Sequence, residues 1–150
     1  MDVLRFTTES LLLPNLEAKT ADEAIDRLCQ AMLAAGVISD LEGFKEAVEK
    51  REKIYSTAVE KGVAFPHARG HHAARLAFAV ATIAKGVAMK APDRRRTRIV
   101  FLIAVPDFSA GVYMQLLSLL AGFVHREEWR EKLLEATTPK QILRLLQSVK

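Results

Sequence analysis

One cysteine, one tryptophan and two tyrosines are present among 150 residues. A single cysteine excludes an intrachain disulfide framework and points to a reducing compartment, the cytoplasm. Cys29 sits in a helical pattern beside Leu28 and Met32, where a thiol acts as a small buried hydrophobe. No apolar run approaches the ~18 residues of a membrane span, and Met1-Asp2-Val3-Leu4-Arg5 is no signal peptide. Membrane insertion is therefore not expected. The formal charge of +4 favours acidic partners only weakly. The densest charge run, Arg94-Arg95-Arg96-Thr97-Arg98, has no interleaved aromatic and no reading helix, so no nucleic acid is expected. It reads as a solvated turn before a strand. Low-complexity linkers and internal repeats are also missing, so residues 1–150 are read as one domain.

What is present is a change of hydrophobic period along the chain. A short strand-like start, Leu11 to Leu16, is broken at Pro14. Thr20-Ala21-Asp22-Glu23 is a capping box, and Ala24, Ile25, Leu28, Cys29, Met32 and Leu33 form the apolar stripe of the helix it opens. Gly36 closes that helix. Ser39 and Asp40 offer the next N-cap, and Phe44, Ala47 and Val48 give a second helix ending near Lys53. Gly62–Phe65, Leu76–Ala84 and Ile99–Val105 then read as buried strands. Past Pro106 the helical period returns in Val112, Leu116, Leu117, Leu119, Leu120 and Phe123. Glu127-Glu128 opens another helix with Trp129, Leu133 and Leu134 as its buried residues, and Thr138-Pro139-Lys140-Gln141 opens the last. Helices, strands, then helices predict an α/β sandwich: a small mixed β-sheet flanked by helices on both faces.

The chemistry concentrates in Ser56-Thr57-Ala58-Val59-Glu60-Lys61-Gly62-Val63-Ala64-Phe65-Pro66-His67-Ala68-Arg69. Pro66 fixes its own φ and has no N–H, so the ladder is expected to stop there and to leave His67 at a strand end. Ser56, Thr57 and Arg69 supply two hydroxyl donors and a guanidinium fork, groups that bind a phosphoryl. A neutral imidazole is a competent nucleophile near pH 7. One reading is a histidine that carries a phosphoryl group; the other is a strand-end histidine satisfied by a backbone carbonyl. His67, His71 and His72 invite a metal reading, but Arg69 and Gly70 interrupt them and no Cys or carboxylate lies between. No metal site is expected, and His71 and His72 read as solvated turn residues.

Lys50-Arg51-Glu52-Lys53-Ile54-Tyr55-Ser56-Thr57 followed by Gly62-Val63-Ala64-Phe65-Pro66-His67 resembles the signature of phosphotransferase-system enzyme IIA domains of the fructose/mannitol type, a class that includes the nitrogen-regulatory IIA proteins. The resemblance covers nearly the whole chain. It implies that His67 accepts a phosphoryl group from an HPr-type phosphocarrier and hands it to a IIB domain, with no metal and no organic cofactor. By position Arg51 matches the family's active-site arginine, and Ser56 and Thr57 match its hydroxyl pair. Family members commonly carry a second histidine where this chain has Tyr113, and a phenol cannot share protonation duty near neutrality. Its hydroxyl is expected within reach of His67 or of a bound phosphoryl. Ala68 stands where glycine is usual, and Val59-Glu60-Lys61 also departs from the pattern. The alternative is a regulatory module that binds a target protein, with phosphorylation of His67 as its switch or lost.

Overall fold

The structure, a computed structural model, describes all 150 residues. Its centre is a hairpin of two long antiparallel strands, β4 (Ala77–Val87) and β5 (Thr97–Val105). β1 (Leu12–Leu13) joins the outer edge of β4 in parallel. β2 (Val63–Ala64) and β3 (His67–Arg69) join the outer edge of β5, also in parallel. The ladder does not stop at Pro66, as the sequence reading has it. Val63 pairs with Ile99 and His67 with Ile103, the same offset on both sides of the proline. The Pro66 carbonyl still accepts from the Ile103 N–H at 3.0 Å. On an edge strand a proline forfeits one donor without shifting the register, so β2 and β3 are one interrupted strand. His67 opens its second half.

Side chains alternate along the hairpin and divide the core in two. Ala77, Ala79, Ala81, Val100, Leu102 and Ala104 face α1 (Ala21–Ala34) and α2 (Leu41–Ile54). Phe78, Val80, Ile99, Phe101, Ile103 and Val105 face α3 (Ala110–His125), α4 (Glu127–Glu135) and α5 (Pro139–Leu146). Alanines dominate the first face, which lets α1 and α2 approach the sheet closely. Phe101 and Phe78 fill the second at 0% exposure, with Phe65 stacked on Phe101 at 5.3 Å between centroids. Phe65 and Phe101 are opposite one another in the continuous register, so the interrupted strand is pinned by a cross-strand aromatic pair.

The helix boundaries follow local chemistry. Thr20 Oγ1 accepts from the Glu23 N–H at 3.1 Å, but the returning Glu23 carboxylate accepts from Lys19 rather than Thr20. The last helix repeats this: Thr138 caps Gln141, whose side chain accepts from the Thr137 N–H at 2.6 Å. Asp40, not Ser39, caps α2 by accepting from the Gly43 N–H at 3.0 Å. Lys45 on α2 lies 3.3 Å from Asp22 and 3.4 Å from Asp26 on α1, which ties the two helices side by side. Cys29, fully buried on α1, has its thiol pushed up to about 12, chiefly by burial. No helix is long and apolar enough to cross a membrane.

Three expectations about polar residues change. Arg96 and Arg98 are not free in a solvated turn. Arg96 donates to the Lys85 and Gly86 carbonyls at 3.1 and 2.9 Å, and Arg98 to the Ala84 carbonyl at 3.0 Å. The register shift between Thr82 and Val87 leaves those carbonyls outside the ladder, and the guanidinium groups supply the donors that the strand pairing does not. On α4 it is Arg130 that is buried with Leu133, while Trp129 and Leu134 are only half-buried. The Arg130 guanidinium donates to the Val124 and His125 carbonyls at 2.7 Å each and closes the C-terminus of α3. His72 is half-buried instead of solvated: its Nδ1 is buried without a hydrogen-bond partner, 3.9 Å from Asp40 Oδ2.

Candidate active site

His67 starts β3 with its side chain on the α3 face, since Val63 and Phe65 of the same interrupted strand face that layer while Ala68 faces the other. Its Nδ1 lies 3.0 Å from the Phe65 carbonyl. A carbonyl only accepts, so in the neutral ring Nδ1 carries the proton and Nε2 keeps the free lone pair. Burial holds the imidazole below its ordinary pKa. The Phe65 carbonyl opposes this by bonding the charged form, the Arg51 charge adds to it, and Glu52 opposes it. At neutral pH the ring is therefore uncharged, and its free nitrogen is the nucleophilic one.

Tyr113 comes from the first turn of α3, its ring 5.5 Å from the His67 ring and tilted by 39°. No hydrogen bond joins the phenol to the imidazole. Burial, opposed by Arg51, raises the phenol pKa, so the group stays a protonated donor at neutral pH. Arg51 sits in the last turn of α2, where it donates to the Tyr55 carbonyl at 2.7 Å and still acts electrostatically on both rings. These three residues, from β3, α2 and α3, are brought together.

The other sequence candidates are engaged elsewhere. The Thr57 hydroxyl donates to the Glu52 carboxylate, which also accepts from the Thr57 N–H at 3.1 Å. The Thr57 carbonyl in turn accepts from the Phe65 N–H at 3.1 Å, so Glu52 and Thr57 brace the carbonyl that orients His67. Ser56 Oγ accepts from the Ala58 N–H at 3.1 Å, a local turn. Arg69, two residues beyond His67 on the same face, donates to the Asp107 carbonyl at 2.9 Å and ties β3 to the loop before α3.

Two contributors are not identified by the sequence. One is the Phe65 backbone oxygen: a backbone carbonyl satisfying a strand-end histidine is one of the two sequence readings, but side-chain identity does not say which carbonyl. The other is the start of α3: Ser109 occupies the N-cap with no side-chain hydrogen bond, which leaves N–H groups of the first turn without that partner, one turn from Tyr113. The polar cap residue was visible in the sequence; its failure to cap was not. Six of the eight large hydrophobic side chains that are exposed lie at or just beyond the end of α2, as Ile54 and Tyr55 do, or around the start of α3, as Phe108 and Met114 do, the two segments that carry Arg51 and Tyr113.

This architecture defines a class, the mixed-sheet α/β sandwich of enzyme IIA proteins. It superposes on the nitrogen regulatory protein IIA-Ntr from Neisseria meningitidis with a TM-score of 0.85 and 23% identity, over 95% of this chain and 97% of that one. The chain belongs to the family described as "Phosphoenolpyruvate-dependent sugar phosphotransferase system, EIIA 2", whose pattern matches residues 5–149. It is 34% identical to the 2-O-alpha-mannosyl-D-glycerate-specific EIIABC component of Escherichia coli over 97% of its own length, but spans only 22% of that relative. The fructose-specific EIIA component of Haloferax volcanii is 29% identical, with 99% of this chain and 96% of that one covered.

Proposed function

We propose that this chain is a cytoplasmic phosphoryl carrier that accepts a phosphoryl group on Nε2 of His67 from an HPr-type phosphocarrier and delivers it to a IIB domain. The observation that carries the reading is the half-buried neutral imidazole whose Nδ1–H is committed to the Phe65 carbonyl. The Nε2 lone pair attacks phosphorus, the P–N bond to the donor's imidazole breaks, and that ring leaves with the bonding pair. His67 keeps its Nδ1 proton, so the phosphorylated ring is cationic and the Phe65 carbonyl stabilises it. Arg51 and the Tyr113 hydroxyl serve the phosphoryl oxygens, and the open start of α3 favours the same anion. Ser56, Thr57 and Arg69 act on the phosphoryl through position, by holding the loop and strand around His67. Transfer of this kind needs positioning and charge stabilisation more than covalent work from the protein. The exposed apolar side chains around His67 supply a surface for the protein donors and acceptors.

A second reading is favoured by one residue. Tyr113 cannot titrate near neutrality, so a site that relies on a second histidine for fast transfer is incomplete here, and a slow phosphoryl mark suits a regulatory module acting on a target protein. Incubation with a phosphocarrier and its phosphoryl donor, followed by intact-mass measurement, separates these readings. An acid-labile, alkali-stable adduct of one phosphoryl, absent in His67→Ala, is expected. Labelling of the alanine variant, or phosphate on a serine, would overturn the assignment. Onward transfer to a IIB domain within seconds supports the carrier reading; a long-lived adduct supports the regulatory one.

A further inference from the structure

A concave groove of about 500 Å³ opens where β5 begins, against α4. Six cationic side chains and two carboxylates line it, an excess of four, equal to the formal net charge of +4 of the whole chain. The charged side chains outside the groove therefore sum to zero. Three of the four guanidinium groups are not loose, while Arg95 has only a 3.7 Å ion pair with Asp93. Arg96 and Arg98 are anchored on the carbonyls of residues 84–86, and Arg130 on the end of α3. Arg98 is left with both terminal nitrogens unpartnered. Lys61 and Lys85 add two ammonium groups whose amines make no ion pair or hydrogen bond. The three anchored guanidinium groups lose little side-chain entropy when an anion enters.

We propose that this groove binds a compact polyanion of the organic or inorganic polyphosphate class, at a site separate from His67. The separation follows from the register: His67 is opposite Ile103 while the groove reaches only to Ile99, four residues along β5 or about 13 Å at the rise of a strand. Guanidinium forks and ammonium groups together suit phosphate oxygens, and the volume is that of a small-molecule site. A nucleic-acid backbone fits poorly: Glu127 and Glu131 close the α4 side with no cation within ion-pair distance, and no aromatic lines the groove for base stacking.

Titration calorimetry at about 0.15 M salt, with inorganic tripolyphosphate and with ATP as probes, tests this. Saturable one-to-one binding is expected, with amide shifts at residues 84–86 and 95–98. Lys61→Gln/Lys85→Gln removes two charge-assisted contacts without touching an internal bond, and should weaken binding about tenfold or more. Glu127→Gln/Glu131→Gln should tighten it, since two opposing charges go. His67→Ala should bind as wild type. Equal affinity for the two probes assigns the site to the phosphate chain alone; tighter binding of ATP adds the nucleoside. The proposal is overturned if no saturable binding is seen, or if the lysine variant binds unchanged. Loss of binding in His67→Ala, with shifts centred on residues 51 and 67, overturns it too. Tighter binding of a polyglutamate peptide than of tripolyphosphate would make the groove a protein-docking surface instead.

Discussion

At the scale of the residue, the outcome rests on one carbonyl. Phe65 O fixes the tautomer of His67, burial keeps the ring neutral, and Glu52 and Thr57 hold the strand segment that presents that carbonyl. The histidine pKa is lowered in the folded protein, so the neutral form is preferred there. Its contribution to stability is present above the unfolded value near 6.5 and is lost as pH falls toward the lower folded value. Urea midpoints from pH 8 to 5 should therefore fall less steeply in His67→Gln than in wild type. The same depression should keep phosphoryl acceptance on its plateau below pH 6.5, where a free imidazole would already be mostly charged; a wild-type rate that halves at or above 6.5 would contradict it. Tyr113→His should quicken onward transfer. Tyr113→Phe should slow phosphoryl handling with the fold intact, the missing bond to a charged oxygen being worth about 1.5–3 kcal/mol. Wild-type kinetics in Tyr113→Phe would reduce Tyr113 to packing. The Pro-His strand signature marks His67 as the candidate phosphoryl acceptor in the sequence, and the structure puts its ring beside Tyr113. In the sequence Thr57 and Arg69 offer groups that could reach a phosphoryl, yet both donate to protein partners, which only the folded chain reveals.

At the scale of the element, local chemistry placed the helices and strands within a few residues, because caps and periodicity are written in adjacent positions. Long-range pairing was not so written. The resumption of the strand after Pro66 depends on β5 lying alongside in register, and the anchoring of Arg96 and Arg98 depends on a bulge whose carbonyls come from the other arm of the hairpin. Gly86 is the point where this arrangement is tightest. Its φ is +70°, and a Cβ there would stand 2.9 Å from Arg96 Cβ and 3.1 Å from both Arg98 Cγ and the Thr97 carbonyl. Gly86→Ala should cost about 1–2 kcal/mol for the left-handed conformation alone, and more for the contacts. Gly122, exposed in α3 with nothing within 4 Å of an added Cβ, should respond oppositely. Gly122→Ala should stabilise by about 0.5–1 kcal/mol. Chemical denaturation of the pair of variants checks both signs at once.

At the scale of the whole molecule, the two ends of β5 carry different surfaces. Phe108, Val112 and Met114 expose apolar side chains just beyond the His67 end, and the net positive charge collects at the other. The sequence shows the arginine run but not that Arg95, Arg96 and Arg98 share a groove with Lys61, Lys85 and Arg130, which reach it from separate segments. The exposed apolar side chains have their own consequence for partner recognition. Phe108 is 85% exposed and Ile54 80% exposed, so neither supports the fold, and removing them should leave thermal stability within about 0.5 kcal/mol of wild type. A protein donor that docks over His67 would bury both. Phe108→Ser and Ile54→Ser should each raise the KM for the phosphocarrier, by about tenfold if the side chain is an anchor of the interface. The rate within the bound complex should change little, because neither group touches the phosphoryl. Stopped-flow transfer measured against phosphocarrier concentration separates the two parameters. A fall in the bound-complex rate at unchanged KM would mean that these side chains shape the site itself, and an unchanged profile would move the docking surface away from the His67 end.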